Sequence, residues 1–319
     1  MPPPFVSDKP RLVRALDVLK PFDPWSSPLC TCPPKLALDP YSGCGFECAY
    51  CYVSAYVPRY WGRDRVRPKV DLLRRLDRDL RRIADREDLA CLRGLPVSLS
   101  NSSDPYPHFP QADEAALGLT RAALIAVADA GHPILIVTKS PLVVRDADIL
   151  SRPRAVVAMA VTTLSDDLAS RLEPNAPTPS ARLAALADLA RAGIPIAARI
   201  DPLLPGINDS PDDLAHLCDA LAAAGVRQVI ASTYKHRPDG FRRIAAAFPN
   251  AAAAIASLLD RTQRVSGYYY LRADVRTAML SSVAALVRER GMAFSICREG
   301  LPGLTDVPCD GRAFLPGRE

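Results

Sequence analysis

The run Tyr41-Ser42-Gly43-Cys44-Gly45-Phe46-Glu47-Cys48-Ala49-Tyr50-Cys51-Tyr52 decides how the rest of this chain reads. It sets three cysteines in the order C-x3-C-x2-C, with an aromatic residue on each side of the last thiol. Three thiolates at that spacing can hold three irons of a cubane iron–sulfur cluster and leave the fourth without a protein ligand. A small molecule can chelate such an iron and accept an electron there. Zinc is the competing metal, but a structural zinc site wants four protein ligands and a catalytic one wants histidine or carboxylate. No histidine lies near this loop. The plainer readings are half of a zinc knob, or a redox pair with a spare thiol.

Composition bounds the rest. The chain has 319 residues, 49% hydrophobic and 24% charged, which is ordinary for a globular protein of one large domain or two smaller ones. No apolar stretch approaches the ~18 residues that span a bilayer, and Met1-Pro2-Pro3-Pro4-Phe5 lacks the features of a secretory signal. The expectation is a cytoplasmic protein with no membrane partner. Nine cysteines in a long chain point to thiolates as metal ligands rather than to a disulfide scaffold. The net charge of +5 permits a nucleic-acid partner without demanding one. Arg outnumbers Lys 34 to 6, a compositional bias of the whole chain.

Outward from the cysteine run, short apolar segments alternate with helical patterns. Strands are expected at 36–41, 96–101, 133–138, 155–162, 195–201 and 226–232, with helices at 70–88, 114–130, 180–192 and 211–223. Gly131, Gly193 and Gly225 each fall after a helix and before a strand, where a left-handed cap is needed. This alternation implies an α/β fold with parallel strands and crossover helices. Six units fit a (β/α)6 partial TIM barrel spanning 36–235. A Pro-rich irregular arm (1–35) precedes it, and a C-terminal helical extension (236–319) packs on it. Chemistry in such folds gathers at the C-terminal ends of the strands. Between Arg59 and Arg86 stand eleven Arg or Lys against five Asp, with Asp71–Arg75 and Asp77–Arg81 at helical pairing distance. That reads first as a solvated, salt-bridged helix face.

The cysteine triplet resembles the signature of the radical S-adenosylmethionine superfamily. That resemblance implies a [4Fe–4S] cluster on Cys44, Cys48 and Cys51, and S-adenosylmethionine as cofactor. It also implies a reductive cleavage that yields a 5′-deoxyadenosyl radical to abstract hydrogen from a substrate. Candidate cofactor contacts follow from residue type and place. Tyr52 can pack on an adenine, while Tyr50 can shield the cluster. Ser102, Ser103 and Asp104 supply hydroxyls and a carboxylate after the second strand, and the alternative is a polar turn. Lys139 ends the third strand, and Arg199 and Asp201 end the fifth. Arg199 can reach the cofactor or pair with Glu173.

The resemblance can be narrowed. Asp39-Pro40-Tyr41, Ser102-Ser103-Asp104-Pro105-Tyr106, Leu119-Thr120-Arg121, Ile136-Val137-Thr138-Lys139-Ser140, Arg145-Asp146, Leu172-Glu173-Pro174-Asn175-Ala176-Pro177 and Leu204-Pro205-Gly206-Ile207-Asn208-Asp209 look like the spore photoproduct lyase-related branch, in its order. That branch implies cofactor roles for Tyr52, Ser103, Asp104 and Lys139. The lyase proper carries a hydrogen-donating cysteine where this chain has Asn101, so lyase activity itself is not expected.

The remaining cysteines raise a second question. Cys30 and Cys32 lie before the first strand, and Cys297 and Cys309 lie in the tail. Four thiols would close a second metal site, an auxiliary iron–sulfur cluster or zinc, if the tail folds back to the arm. The alternative is incidental thiols. Cys91 and Cys218 read as packing residues. The functional expectation is a radical enzyme fed by an electron donor such as a flavodoxin or ferredoxin and acting on a nucleic acid or nucleotide. Tyr268-Tyr269-Tyr270 and Arg272 could stack on bases or line a core. The alternatives are modification of a peptide or small metabolite, or a non-catalytic iron–sulfur redox sensor.

Overall fold

The computed structural model of the chain describes residues 15–22, 27–56, 62–100, 102–152 and 154–315. Asn101, most of the expected arm and the start of the basic stretch at Arg59 lie outside the described residues.

One sheet organises the described chain. Its strands are β1 (Lys20–Pro21), β2 (Leu36–Leu38), β3 (Val97–Leu99), β4 (Ile134–Thr138), β5 (Ala155–Ala160), β6 (Ile196–Leu203), β7 (Gln228–Thr233) and β8 (Ala293–Ile296), and they lie side by side in chain order. β1 runs antiparallel at one edge, and every later pairing is parallel. The main helices are α1 (Leu72–Asp85), α2 (Leu119–Asp129), α3 (Asp166–Leu172), α4 (Pro179–Arg191), α5 (Pro211–Ala223), α6 (Pro238–Ala247), α7 (Pro249–Ser257) and α8 (Ala273–Glu289). Parallel strands need such crossovers, and helices on one side bury the sheet's outer face. Leu36, Val97, Ile134, Val157, Ile196 and Val229 all fall in the main core with Leu76, Leu124, Leu186, Leu217 and Val283 of the helices.

Local chemistry sets the boundaries. Thr178 and Ser210 cap the N-termini of α4 and α5 through the Ala181 and Asp213 amides, each with proline in the first turn. Gly131, Gly193 and Gly225 do adopt left-handed φ values of 75°, 75° and 86°. They let the chain reverse from helix to strand without a Cβ clash.

The sheet departs from the expected six strands. All six are present, and β8 adds a seventh parallel strand from the region expected to be only helical. A hairpin pairing Lys235–His236 with Tyr269–Tyr270, together with α6 and α7, separates β7 from α8 and hides the repeat. The segment read as one helix over 114–130 is broken by Gly118 at φ 61°. The break turns the Glu114 carboxylate back onto the Thr120 and Arg121 amides, at 2.9 and 3.2 Å, so it caps α2. On α1, Asp77 pairs with Arg81 at 3.0 Å as expected. Asp71 instead pairs with Arg74, and Arg75 reaches Asp17 of the arm at 2.6 Å. Buried Asp79 accepts the amides of Asp17, Val18 and Leu19, so this face of α1 docks the arm. Cys218 is buried as expected, whereas Cys91 is exposed because its short helix leaves it on the outer side.

Candidate active site

A cavity of about 510 Å³ is lined by residues of every parallel strand or its immediate end, among them Ala37, Ser98, Val137, Ala158, Arg199, Ser232 and Cys297. A single cavity can touch all seven strands only if the sheet curls around it. Asp39, Ser103, Asp104, Lys139, Asp201 and Lys235 sit at C-terminal strand ends and also line it. So do all three cysteines of the loop after β2.

The loop's shape is imposed from several directions. Gly43 and Glu47 take left-handed φ values of 84° and 53°. Gly45 has no room for a side chain: a Cβ there would stand 2.4 Å from the Phe109 ring and 2.8 Å from the Arg63 backbone. The end of α3 holds the loop through Ala49 N–Leu172 O at 2.8 Å, and Asn175 Nδ2 donates to Gly45 O at 3.0 Å. Arg243 on α6 donates to the carbonyls of Ala49 and Cys51, at 3.3 and 2.8 Å. Phe46 and Phe109 meet edge to face above the thiols.

The donor set suits an iron–sulfur cluster. Cys48 is buried, Cys44 and Cys51 are partly so, and all three are free thiols. Among the described residues no three such donors converge on one point at ion-binding distance. Burial raises all three thiols, Cys48 to about 12. The Lys139 ammonium opposes that rise at Cys48 and Cys51. Deprotonation would therefore accompany metal binding. Ser100 Oγ is buried on the cavity wall without a hydrogen-bond partner, and a ligand can satisfy such a group.

The candidate cofactor residues fall around this cavity in different states. Asp104 accepts from Tyr106 N, Thr138 Oγ1 and Lys139 N, all at 2.9 Å, so it ties the loop after β3 to the end of β4. Burial raises its pKa despite those bonds. Ser103 Oγ donates to Tyr41 O at 3.4 Å. Lys139 is largely shielded, 3.9 Å from Glu173 and over the Tyr50 ring at 5.7 Å. Burial pulls the Lys139 pKa down, but its neighbours Cys48 and Glu173 outweigh burial and the net shift is upward. Tyr52 sits under the Arg298 guanidinium at 5.9 Å. Arg199 does not meet Glu173: it pairs with Asp201 at 2.6 Å and faces Cys297 and Cys309.

The arm and tail do meet. Cys30, Cys32, Cys297 and Cys309 line the same cavity, and Cys32 and Cys309 have sulfurs 3.5 Å apart. Tyr268 and Tyr270 are buried, while Tyr269 is only partly so and stacks under Arg264.

Two important residues were not visible in the sequence as site residues. Arg182 on α4 is 1% exposed and pairs with Glu173, whose other oxygen accepts from Tyr50 Oη. Arg243 braces the cysteine loop from outside the expected barrel. Both look like ordinary helix-surface charges, since arginine is seldom buried unless paired.

Comparison with known proteins agrees with this geometry. The radical SAM superfamily model matches residues 38–218, more than half of the chain, and the chain belongs to that superfamily. The uncharacterized protein Rv2578c of Mycobacterium tuberculosis is 29% identical over 207 residues, covering 62% of this chain and 58% of that protein. The radical SAM Nalpha-GlyT isomerase of Pseudomonas phage M6 is 26% identical over 276 residues, covering 83% of this chain and 54% of that protein. The chain thus spans less than two thirds of the length of these curated relatives. Among solved structures, a spore photoproduct lyase mutant with bound AdoMet and dinucleoside spore photoproduct shares the fold. Its TM-score is 0.63 at 16% identity, covering 86% of this chain and 79% of that one.

Proposed function

We propose that Cys44, Cys48 and Cys51 hold a [4Fe–4S] cluster and that S-adenosylmethionine binds beside it, for hydrogen abstraction from a nucleotide or nucleic acid. The observation that carries this reading is the placement of three free thiols and Lys139 on one cavity at the strand ends. A cluster held there would supply single-electron reduction of a bound S-adenosylmethionine, the source of radical chemistry.

This chain's residues then have separate tasks. Lys139, protonated and aimed into the cavity, offsets the negative charge of three thiolates and can donate to the cofactor's carboxylate. Ser103 offers a hydroxyl beside it, while Asp104 holds Lys139's backbone in place through a 2.9 Å bond. Tyr52 presents a ring to the adenine. The aromatic cover of Phe46 and Phe109 and the curled sheet would limit the access of water to a radical. A flavodoxin or ferredoxin is the fitting class of electron donor. The nucleotide substrate is supported by the dinucleoside held in the solved neighbour.

The test is anaerobic reconstitution followed by dithionite and S-adenosylmethionine, with 5′-deoxyadenosine read by mass spectrometry. Product from the wild type and none from Cys48→Ala is expected, with turnover stimulated by added oligonucleotide. A reducible cluster that never cleaves the cofactor, with or without DNA and RNA, would sink the enzyme reading in favour of a sensor.

A further inference from the structure

Four thiols that the radical site does not use meet on another part of the cavity wall. Cys30 and Cys32 come from the arm before β2, Cys297 follows β8, and Cys309 lies further along the tail. The Cys32 and Cys309 sulfurs are 3.5 Å apart. Cys30 lies beside Cys32 and Cys297 beside Cys309, so the four thiols gather in one place. All four are free, and 3.5 Å is well beyond the ~2.05 Å of a disulfide. Cations attend them: Lys35 Nζ is 3.6 Å from Cys32 Sγ, and Arg199 lies beside Cys297 and Cys309.

The protein holds the two ends of the chain together here with unusual care. Lys35 pairs with Asp310 at 2.9 Å with both side chains buried. Arg312 donates to the carbonyls of Pro33 and Pro34 at 3.2 Å. Gly311 takes φ 81° and has no room for a Cβ, which would lie 2.6 Å from Val156. Clasping residues so distant in sequence costs loop entropy, and what they enclose is sulfur. Incidental thiols would be scattered, as Cys91 and Cys218 are.

We propose that Cys30, Cys32, Cys297 and Cys309 form a tetrathiolate metal centre, separate from the radical site and facing the same cavity. Four thiolates suit either zinc or an iron–sulfur cluster. The Cys32 and Cys309 sulfurs are already in contact, and binding would bring the other two side chains round to the same point, which no three donors yet surround among the described residues. Because its ligands come from before β2 and after β8, the centre staples arm and tail across the mouth of the curled sheet. The proposal is independent of what the first triplet binds.

The test begins with the variant Cys44→Ala/Cys48→Ala/Cys51→Ala, purified anaerobically, with iron, sulfide and zinc counted per chain. It should keep either about one zinc or about four irons with matching sulfide, and either result supports the centre while naming its metal. Adding Cys297→Ala/Cys309→Ala should remove that metal, whereas adding Cys91→Ala should not. Should the multiple variants fail to fold, the wild type answers by iodoacetamide footprinting. Cys30, Cys32, Cys297 and Cys309 should resist alkylation until a chelator is added. A metal-free triplet variant, four thiols alkylated without a chelator, or a Cys32–Cys309 disulfide would each overturn the proposal. Retained metal in a protein that never cleaves S-adenosylmethionine would overturn only the proposed function.

Discussion

Arg243 Nη2 donates to the carbonyl oxygen of Cys51 at 2.8 Å. The bond joins α6, beyond the region matched by the superfamily model, to the last cysteine of the cluster loop. The same guanidinium bonds Ala49 O, and it is itself held by Asp239 at 3.1 Å. A hydrogen bond to a charged donor contributes about 1.5–3 kcal/mol. Arg243→Ala should therefore leave the chain folded but weaken docking of the loop by about 2 kcal/mol, roughly a 30-fold change in its opening equilibrium. The expected readout is faster loss of iron from the reconstituted protein to a chelator, with Arg243→Lys intermediate. Unchanged release would show that the end of α3 and Asn175 suffice to hold the loop.

A second prediction concerns stability. Glu173 is buried between Arg182, Lys139 and Tyr50, and Arg182 is itself 1% exposed. Breaking a buried pair leaves a charge without compensation and costs about 3–5 kcal/mol. Glu173→Ala should lower the melting temperature by about 10 °C, whereas Glu173→Gln with Arg182→Met should recover much of that loss. If single and double variants melt alike, the pair is not what Glu173 contributes.

Much of this could be read from the chain itself, and the exceptions have physical causes. The cysteine loop, Ser103, Asp104 and Lys139 were legible because their chemistry lies in short runs at strand ends. Six strands and their glycine turns were legible because each unit repeats a local pattern. β8 was not, because the Lys235–Tyr270 hairpin and two helices interrupt the repeat before it. The break at Gly118 was hidden because alanine and leucine on both sides continue a helical pattern. Arg182 and Arg243 could not be singled out, because a helix arginine that turns inward has the same local sequence as one that turns outward. What distinguishes them is a partner distant in sequence.

Gly45 gives a sharper structural test of the loop. The Phe109 ring could move from a new methyl group, but the Arg63 backbone at 2.8 Å cannot do so cheaply. Overpacking of this kind costs typically 1–3 kcal/mol. Gly45→Ala should therefore fold with reduced stability and bind clearly less iron at the triplet. Phe109→Ala added to it should restore little. Full rescue by Phe109→Ala would place the conflict in the ring alone.

The last prediction follows from burial of the triplet. Burial lifts the Cys48 thiol from an ordinary 9.0 to about 12, and it lifts Cys44 and Cys51 in the same direction. A thiol whose folded pKa is raised favours the fold while protonated. That contribution is complete below about pH 9 and disappears as pH climbs toward 12. The metal-free protein should thus lose melting temperature above pH 9, beyond the loss shown by a Cys44→Ala/Cys48→Ala/Cys51→Ala control. Loading has the opposite sign, because each ligand must give up its proton to bind metal. At limiting iron and sulfide, occupancy of the triplet should rise from pH 7 to pH 9, a range below the folded value for Cys48. Occupancy that is flat across that interval would mean the thiols are already ionised, with the Lys139 charge prevailing over burial.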